Sequence, residues 1–98
     1  MHVAVARLTL RLPENHSLKE KRHVIHSLSS RLRNRFNVAV AEVDGHDLWQ
    51  LAILGITSVS SDASQAQEIL ASVARYVDGG LQGDAEVVEW NTEVLPGP

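Results

Sequence analysis

The sequence predicts a small α+β domain with the element order β-α-β-β-α-β, and three observations lead to this fold class. Apolar and polar residues alternate from His2 to Leu12, which is typical of a strand with one buried face. Two later segments carry apolar residues at helical spacing, and each follows a capping residue. Asp44-Gly45 is a turn signal between two further strand-like segments. The length of 98 residues fits one domain.

The first strand and the first helix are the clearest elements. The strand's even positions share one apolar face, made of Ala4, Ala6, Leu8, Leu10 and Leu12. Pro13 ends the strand, and Ser17 with Glu20 has the form of a capping box that starts a helix. The helix has an apolar side made of Leu18, Val24, Ile25, Leu28 and Leu32. We expect it to end between Arg33 and Arg35.

The second and third strands are predicted to form a hairpin over residues 36–60. The second runs from Phe36 to Val43 and the third from about Leu48 to Ser60. Because residues 51–56 are apolar on both faces, the third strand is expected to lie in the centre of the sheet.

The second helix and the last strand follow. Ser60-Ser61-Asp62 supplies capping groups for the helix, and Gly79-Gly80 ends it. The helix carries an apolar stripe made of Ala66, Ile69, Leu70, Val73 and Val77. A loop containing Gly83 leads to a last strand over about residues 85–95, with one face formed by Val88, Trp90 and Val94.

With right-handed crossovers, the order β-α-β-β-α-β predicts a ferredoxin-like βαββαβ sandwich. Its two helices lie on one face of a four-stranded antiparallel sheet. We expect the first and third strands to be central and the other face of the sheet to lack helices. Residues 1–95 form the single domain and residues 96–98 a frayed tail. The predicted helix–sheet core consists of Leu8, Leu10, Leu28, Leu32, Ile69, Leu70 and Val73.

Several classes of protein are excluded by composition and pattern. The absence of cysteine excludes disulfides and thiolate metal sites. The amino-terminal residues do not form a signal peptide, and the longest apolar run is too short to span a bilayer. We therefore expect a cytoplasmic protein without a membrane partner. The sequence has no glycine-rich phosphate loop, nucleophile elbow or Ser/His/Asp arrangement, so we predict no catalytic residue, cofactor or small-molecule substrate.

The charge is distributed unevenly along the chain. Residues 1–35 hold eight of the nine Lys and Arg residues but only two of the twelve acids. On the first helix, Arg22, His26, Ser29 and Arg33 line up as a stripe flanked by Lys19. We predict a basic ridge of Lys19, Arg22, His26 and Arg33 that binds nucleic-acid phosphates, with Arg31 and Arg35 nearer its sides. The alternative is a solvated helix face, neutralised by acids of this chain or of a dimer mate.

Other polar residues have structural interpretations that compete with functional ones. Lys21 falls on the apolar side of the first helix, where pairing with a carboxylate such as Glu42 is favoured over catalysis. Asp44, His46 and Asp47 contain atom types that bind metals, but they are also typical turn residues. His23 and His26 are expected to be solvated, and we predict no metal site.

The sheet face without helices is the predicted site of self-association. Its candidate residues are Val3, Val5, Trp49, Leu51 and Ile53. An apolar patch of that size is unusual on a monomer, so we expect a two-fold homodimer that covers part of it. Pairing through the edge of the second or fourth strand is the alternative geometry. For Trp49 and Trp90, packing in a core or an interface is favoured over stacking on a nucleic-acid base.

Three segments of the chain resemble one bacterial family. Residues 17–22 read SLKEKR, and residues 35–43 read RFNVAVAEV with Ala39 where the family usually has Ser. Residues 47–50 read DLWQ and are followed by Gly55. The chain resembles the YlxP-like family, a domain of unknown function, from about residue 2 to residue 77. The resemblance implies a ferredoxin-like fold and a bacterial gene beside those for translation initiation factor two and ribosome-binding factor A. It implies no activity.

The residues alone do not determine the function, and three hypotheses stay open. The first is a small non-enzymatic protein that binds ribosomal RNA or the ribosome through the first helix. The second is a self-associating interaction module without nucleic acid. The third is an enzyme whose site is not recognised.

Overall fold

The structure, a computed structural model, describes residues 1–81 and 85–98. Within them the element order is β1 (His2–Arg11), α1 (Leu18–Arg35), β2 (Ala39–Asp44), β3 (Leu51–Ser60), α2 (Ala63–Gly80) and β4 (Glu86–Pro96). The strands form one antiparallel sheet in the order β2-β3-β1-β4. The predicted ferredoxin-like sandwich and its central first and third strands are confirmed. The predicted loop at Gly83 and the acidic Asp84 lie outside the described residues.

Both helices begin where their capping residues predict. The Ser17 hydroxyl accepts a hydrogen bond from the Glu20 N–H at 3.1 Å. The Glu20 carboxylate in turn accepts from the His16 N–H at 3.0 Å. The two side chains therefore provide acceptors for two backbone N–H groups at the start of the helix. Asp62 caps α2 by accepting from the Ser64 N–H at 2.9 Å.

The core lies between the helices and the face of the sheet built from the even residues of β1. Leu8, Leu10, Leu28, Leu32, Leu70 and Val73 are all buried, as predicted. The prediction is wrong for Ile69, which is only half-buried and is not part of this cluster. The core also contains one charged residue, Lys21, which is 1% exposed.

β2 and β3 each begin three residues later than predicted, because the predicted first residues form the end of α1 and a turn. β2 begins at Ala39 instead of Phe36, since the Phe36 N–H closes the end of α1 by donating to Leu32 O at 2.8 Å. β3 begins at Leu51 instead of Leu48, since the Leu48 N–H donates to Gly45 O at 3.0 Å and closes a turn.

The predicted face of β4 is wrong at Val88. Thr9 pairs with Glu89 and Leu10 pairs with Val87, so Val88 is the extra residue of a β-bulge. Val87 takes the inward position and packs against the core, whereas Val88 is 57% exposed.

None of the helices in residues 1–81 and 85–98 is long and apolar enough to cross a membrane.

Candidate nucleic-acid interface

Helix α1 places the residues of the predicted basic ridge on the outside of the protein. Its buried residues are Lys21, Leu28, Ser29 and Leu32. The ridge residues Lys19, Arg22, His26 and Arg33 are all exposed. The ridge therefore lies on the side of α1 that faces away from the sheet.

Ser29, predicted to share this exposed stripe, is 6% exposed and belongs to the packed side of α1. It follows Ile25 by four residues and precedes Leu32 by three, so it borders the apolar side of the helix. The ridge thus has a gap between His26 and Arg33.

The ion pairs separate the cations of the chain into two groups. Arg7, Arg11, Lys21 and Arg75 pair with Asp44, Glu86, Glu42 and Glu68 respectively. The other five cations all lie on α1, and none has an ion pair with the described residues: Lys19, Arg22, Arg31, Arg33 and Arg35.

Arg35 occupies a different environment from the ridge. Its guanidinium carbon lies 4.8 Å from the centre of the Tyr76 ring, which in turn makes an edge-to-face contact with Phe36 at 5.8 Å. This cation–π contact fixes Arg35 at the end of α1 against α2. The side chain nevertheless remains exposed.

Lys21 is buried in a cradle of backbone oxygens. Its Nζ donates to Gly45 O at 2.8 Å, to His46 O at 3.2 Å and to Leu51 O at 3.2 Å. These bonds join the first turn of α1 to the connection between β2 and β3. Lys21 therefore holds the connection between β2 and β3 against α1. Its place on the apolar side of α1 indicated a buried partner but not these bonds.

The predicted pairing of Lys21 with Glu42 is present. Lys21 Nζ lies 2.9 Å from Glu42 Oε2, which is an ion-pair distance. Glu42 Oε2 is buried and has no hydrogen bond to the part of the chain that is described. Lys21 therefore forms an ion pair with Glu42 and donates its hydrogen bonds to the three carbonyl groups.

Residues 45–50, which we call the hairpin loop, are fixed to the turn after β1 as well as to Lys21. Asn15 Nδ2 donates to Trp49 O at 3.3 Å, and Gln50 Nε2 donates to Pro13 O and Asn15 O at 3.3 and 3.2 Å. Sequence patterns did not identify Asn15 or Gln50 as functional residues. The only signal available was that Gln50 closes the DLWQ segment.

The two tryptophans lie in different environments. Trp49 belongs to the hairpin loop, before the start of β3, and is 54% exposed. Trp90 pairs with Leu8 on the helix-covered face of the sheet and packs against the core. Trp49 is therefore the more exposed of the two rings, and Trp90 is half-buried.

Asp44, one of the turn residues with atom types that bind metals, has other contacts. Asp44 accepts from the Gly45 N–H at 2.8 Å and from Arg7 Nη2 at 3.3 Å. The Gly45 hydrogen bond first, and then the Arg7 contact, hold the pKa of the Asp44 carboxyl below its ordinary value of 3.8. Among the described residues no three His, Asp or Glu side chains converge on one point.

The sheet face without helices, which we call the uncovered face, carries the residues predicted for self-association apart from Trp49. Val3, Val5, Leu51 and Ile53 lie on it, because they alternate along their strands with core residues, and all four are half-buried. Exposed apolar residues extend it at β2, β3 and β4, namely Val43, Val59 and Leu95. Arg7–Asp44 and Arg11–Glu86 are ion pairs on the same face.

Comparison with known proteins places these features within one family. The chain matches the family model described as a protein of unknown function (DUF503) over residues 3–92, a range that includes α1, the hairpin loop and most of the sheet. It is also 40% identical over 62 residues to the uncharacterized protein YlxP of Bacillus subtilis (strain 168), a match that covers 63% of this chain and 67% of the Bacillus protein. The chain therefore belongs to the YlxP-like (DUF503) family of unknown function.

Proposed function

We propose that this protein is a non-enzymatic RNA- or ribosome-associated protein that binds phosphates through the basic ridge of α1. The observation that supports the proposal is the separation of the cations. Every Lys or Arg outside α1 is paired with an acid, whereas Lys19, Arg22, Arg31 and Arg33 have no acid within ion-pair distance in residues 1–81 and 85–98.

The arrangement of the ridge suits a polyanion better than a single anion. Its side chains follow the axis of α1 from Lys19 to Arg33, a distance of about 20 Å at 1.5 Å per residue. Phosphates of a nucleic-acid backbone recur along a line of that length. Glu20, the acidic residue of α1, is occupied in capping the helix. Contacts of this kind position RNA without reading its sequence, and a bacterial cytoplasmic RNA such as ribosomal RNA is the proposed partner.

The test removes two ridge cations and compares the result with removal of two paired cations. Arg22→Ala with Arg33→Ala should weaken binding to RNAs of different sequence about equally. It should also lower the slope of log affinity against log salt by about two, one for each lost phosphate contact. Arg7→Ala with Arg11→Ala is the matched control, because it changes the net charge equally but removes cations of the uncovered face.

Two outcomes contradict the proposal. Equal effects of the two double variants would mean that only net charge matters. Failure of the unaltered protein to bind RNA at low salt would favour the interaction-module hypothesis, in which acids of a dimer mate occupy the ridge.

We propose as a second function that the protein forms a homodimer through the uncovered face. The supporting observation is that Val43, Val59 and Leu95 on this face are 48%, 50% and 42% exposed, beside the half-buried Val3 and Val5. A second copy of the chain would present the same apolar surface, as two-fold association requires. Light scattering at high micromolar concentration tests this proposal, and a monomer there would contradict it.

A further inference from the structure

β4 is an edge strand with one open side. It pairs with β1, and no other strand of residues 1–81 and 85–98 pairs with it. Beyond the bulge at Val88, its register with β1 runs without interruption from Glu89 to Pro96. A long, regular edge of this kind is a template for the addition of another strand.

Two hydrogen bonds at the ends of β1 show which residues of β4 face the open side. Leu12 N donates to Gln50 O, so the even residues of β1 bond to β3. Gly97 N donates to Met1 O, so the odd residues of β1 bond to β4. Bonded and non-bonded pairs alternate in an antiparallel ladder. The residues of β4 that pair with even residues of β1 therefore turn their N–H and C=O groups to the open side: Trp90, Thr92 and Val94.

A cavity lies beside these residues on the helix-covered face of the sheet. It has a volume of about 180 Å³ between α2 and β4, and its walls include Leu70, Ala71, Trp90 and Val94. The Trp90 ring is half-buried there. A strand added to β4 would direct every second side chain to this face. An apolar side chain at such a position would fill the cavity and cover Trp90.

The opposite face of β4 is acidic. Glu86, Glu89 and Glu93 pair with odd residues of β1 and therefore lie on the uncovered face. Glu86 is neutralised by Arg11, whereas Glu89 and Glu93 have no ion pair with the described residues. Opposite charges on neighbouring strands attract and like charges repel. An added strand is therefore expected to carry Lys or Arg between its apolar residues.

A second copy of the chain does not supply such a strand. Pairing of β4 with β4 would bring the glutamates of the two copies together. The other edge strand, β2, contains no Lys or Arg. The charge of β4 therefore favours a segment of a different protein.

We propose that the open side of β4 binds an extended basic segment of another protein as an additional strand of the sheet. Its apolar residues enter the cavity beside Trp90, and its alternate Lys or Arg residues lie beside Glu89 and Glu93. Backbone hydrogen bonds to residues 90–94 provide affinity, and the two sets of side chains provide specificity. The site does not depend on the RNA binding or the dimerisation proposed above.

The test uses three capped peptides of about eight residues, somewhat longer than an ordinary strand. One alternates Val and Lys, one alternates Val and Glu, and one has the composition of the first with all Lys residues at one end. The first should bind, the second should not, and the third should bind more weakly than the first. Trp49→Phe leaves Trp90 as the sole tryptophan. Its emission should move to shorter wavelength on binding, because the ring loses contact with water.

Hydrogen exchange distinguishes strand addition from simple ionic attraction. The amides of Trp90, Thr92 and Val94 should exchange rapidly in the free protein and become protected by the Val/Lys peptide. The amides of Asn91 and Glu93 already bond to β1, so their exchange should change little.

Two variants test the backbone and the charge separately. Thr92→Pro removes an outward N–H without breaking a bond to β1, and edge strands tolerate proline at such positions. It should weaken binding of the Val/Lys peptide about 10-fold or more. Glu93→Lys should weaken binding of the Val/Lys peptide and strengthen that of the Val/Glu peptide. Glu14→Lys is the matched control, because it makes the same charge change at an exposed turn residue and should leave the preference between the peptides unaltered.

Several results would overturn the proposal. One is failure of the Val/Lys peptide to protect the three amides at about 1 mM, a concentration that populates even a weak complex. Others are equal binding of the Val/Lys and Val/Glu peptides, and unchanged binding by a folded Thr92→Pro variant. If the three amides are protected in the concentrated free protein and lose protection on dilution, a second copy occupies the edge instead. Circular dichroism checks the fold of each variant, and hydrogen exchange with Glu93→Lys decides the question if Thr92→Pro does not fold.

Discussion

Lys21 shows what a single residue contributes here and how much of that contribution the sequence can reveal. Its helical angle placed it on the packed side of α1, and the excess of apolar neighbours called for a partner such as Glu42, which the structure confirms. The three carbonyl acceptors could not be predicted in this way. They depend on the path of the hairpin loop, and helical or strand periodicity does not describe a loop.

Replacement of Lys21 by Met should destabilise the fold by about 3–5 kcal/mol, because it leaves a buried carboxylate without its counter-ion. Adding Glu42→Leu should recover part of that loss, since the remaining buried charge is then removed. Lys19→Met is the control, as it changes an exposed cation of the same helix turn. Urea unfolding measures all four proteins, and a Lys21→Met midpoint equal to that of Lys19→Met would contradict the assignment.

Asp44 provides a prediction about pH. Hydrogen bonding from Gly45 and Arg7 lowers its pKa in the folded protein. A carboxyl with a lowered pKa stabilises the fold above its unfolded pKa, and that contribution disappears as the pH falls through the folded value. Arg7→Gln should raise the Asp44 pKa only part of the way to 3.8, because the Gly45 N–H, the larger cause, remains. An NMR titration of the carboxyl carbon tests this order of causes.

At the scale of elements, the strong periodic patterns predicted the number, kind and order of helices and strands. What they could not predict were features decided by contacts between elements. Val88 satisfies the alternation of β4, yet a bulge in the pairing with β1 moves it outward and brings Val87 inward. Ser29 lines up with the exposed stripe by helical angle, yet it also borders the apolar side of α1 and is buried. The spacing of β4 does not encode the bulge, and the spacing of α1 does not decide whether a residue at that border is covered.

The pairing of β2 with β3 depends on a glycine. Gly55 lies beside Ala41 in the ladder, and a Cβ added to it would lie 2.8 Å from Val43 Cγ1. Gly55→Ala should therefore displace Val43 and destabilise the protein by about 1–3 kcal/mol, as overpacking does. Gly79→Ala is the control within α2, where an added Cβ meets no atom within 4 Å and alanine favours the helix. In thermal unfolding, Gly55→Ala should lower the midpoint temperature and Gly79→Ala should not.

At the scale of the whole molecule, the two proposed surfaces lie on opposite sides of the sheet. Element order and right-handed crossovers predicted that one face would carry both helices and the other none. The ridge belongs to α1 on the covered side, whereas Val3 and Val5 lie on the uncovered face. A dimer formed through the uncovered face would therefore leave both ridges exposed and directed away from each other. The sequence does not predict which molecule, if any, binds this face, because an apolar surface lacks directional contacts.

This separation predicts that dimerisation and RNA binding can be uncoupled by one change. Val5→Lys places a charge in the centre of the uncovered face, next to Glu93 on β4, which can pair with it in the monomer. The variant should be monomeric in light scattering and should bind a short RNA with unchanged affinity. For an RNA long enough to reach both ridges, its affinity should fall by about 100-fold or more, because the second contact is no longer intramolecular.

Val88→Lys makes the same substitution at the β4 bulge. If that variant becomes monomeric while Val5→Lys stays dimeric, the copies associate through the strand edge instead of the uncovered face.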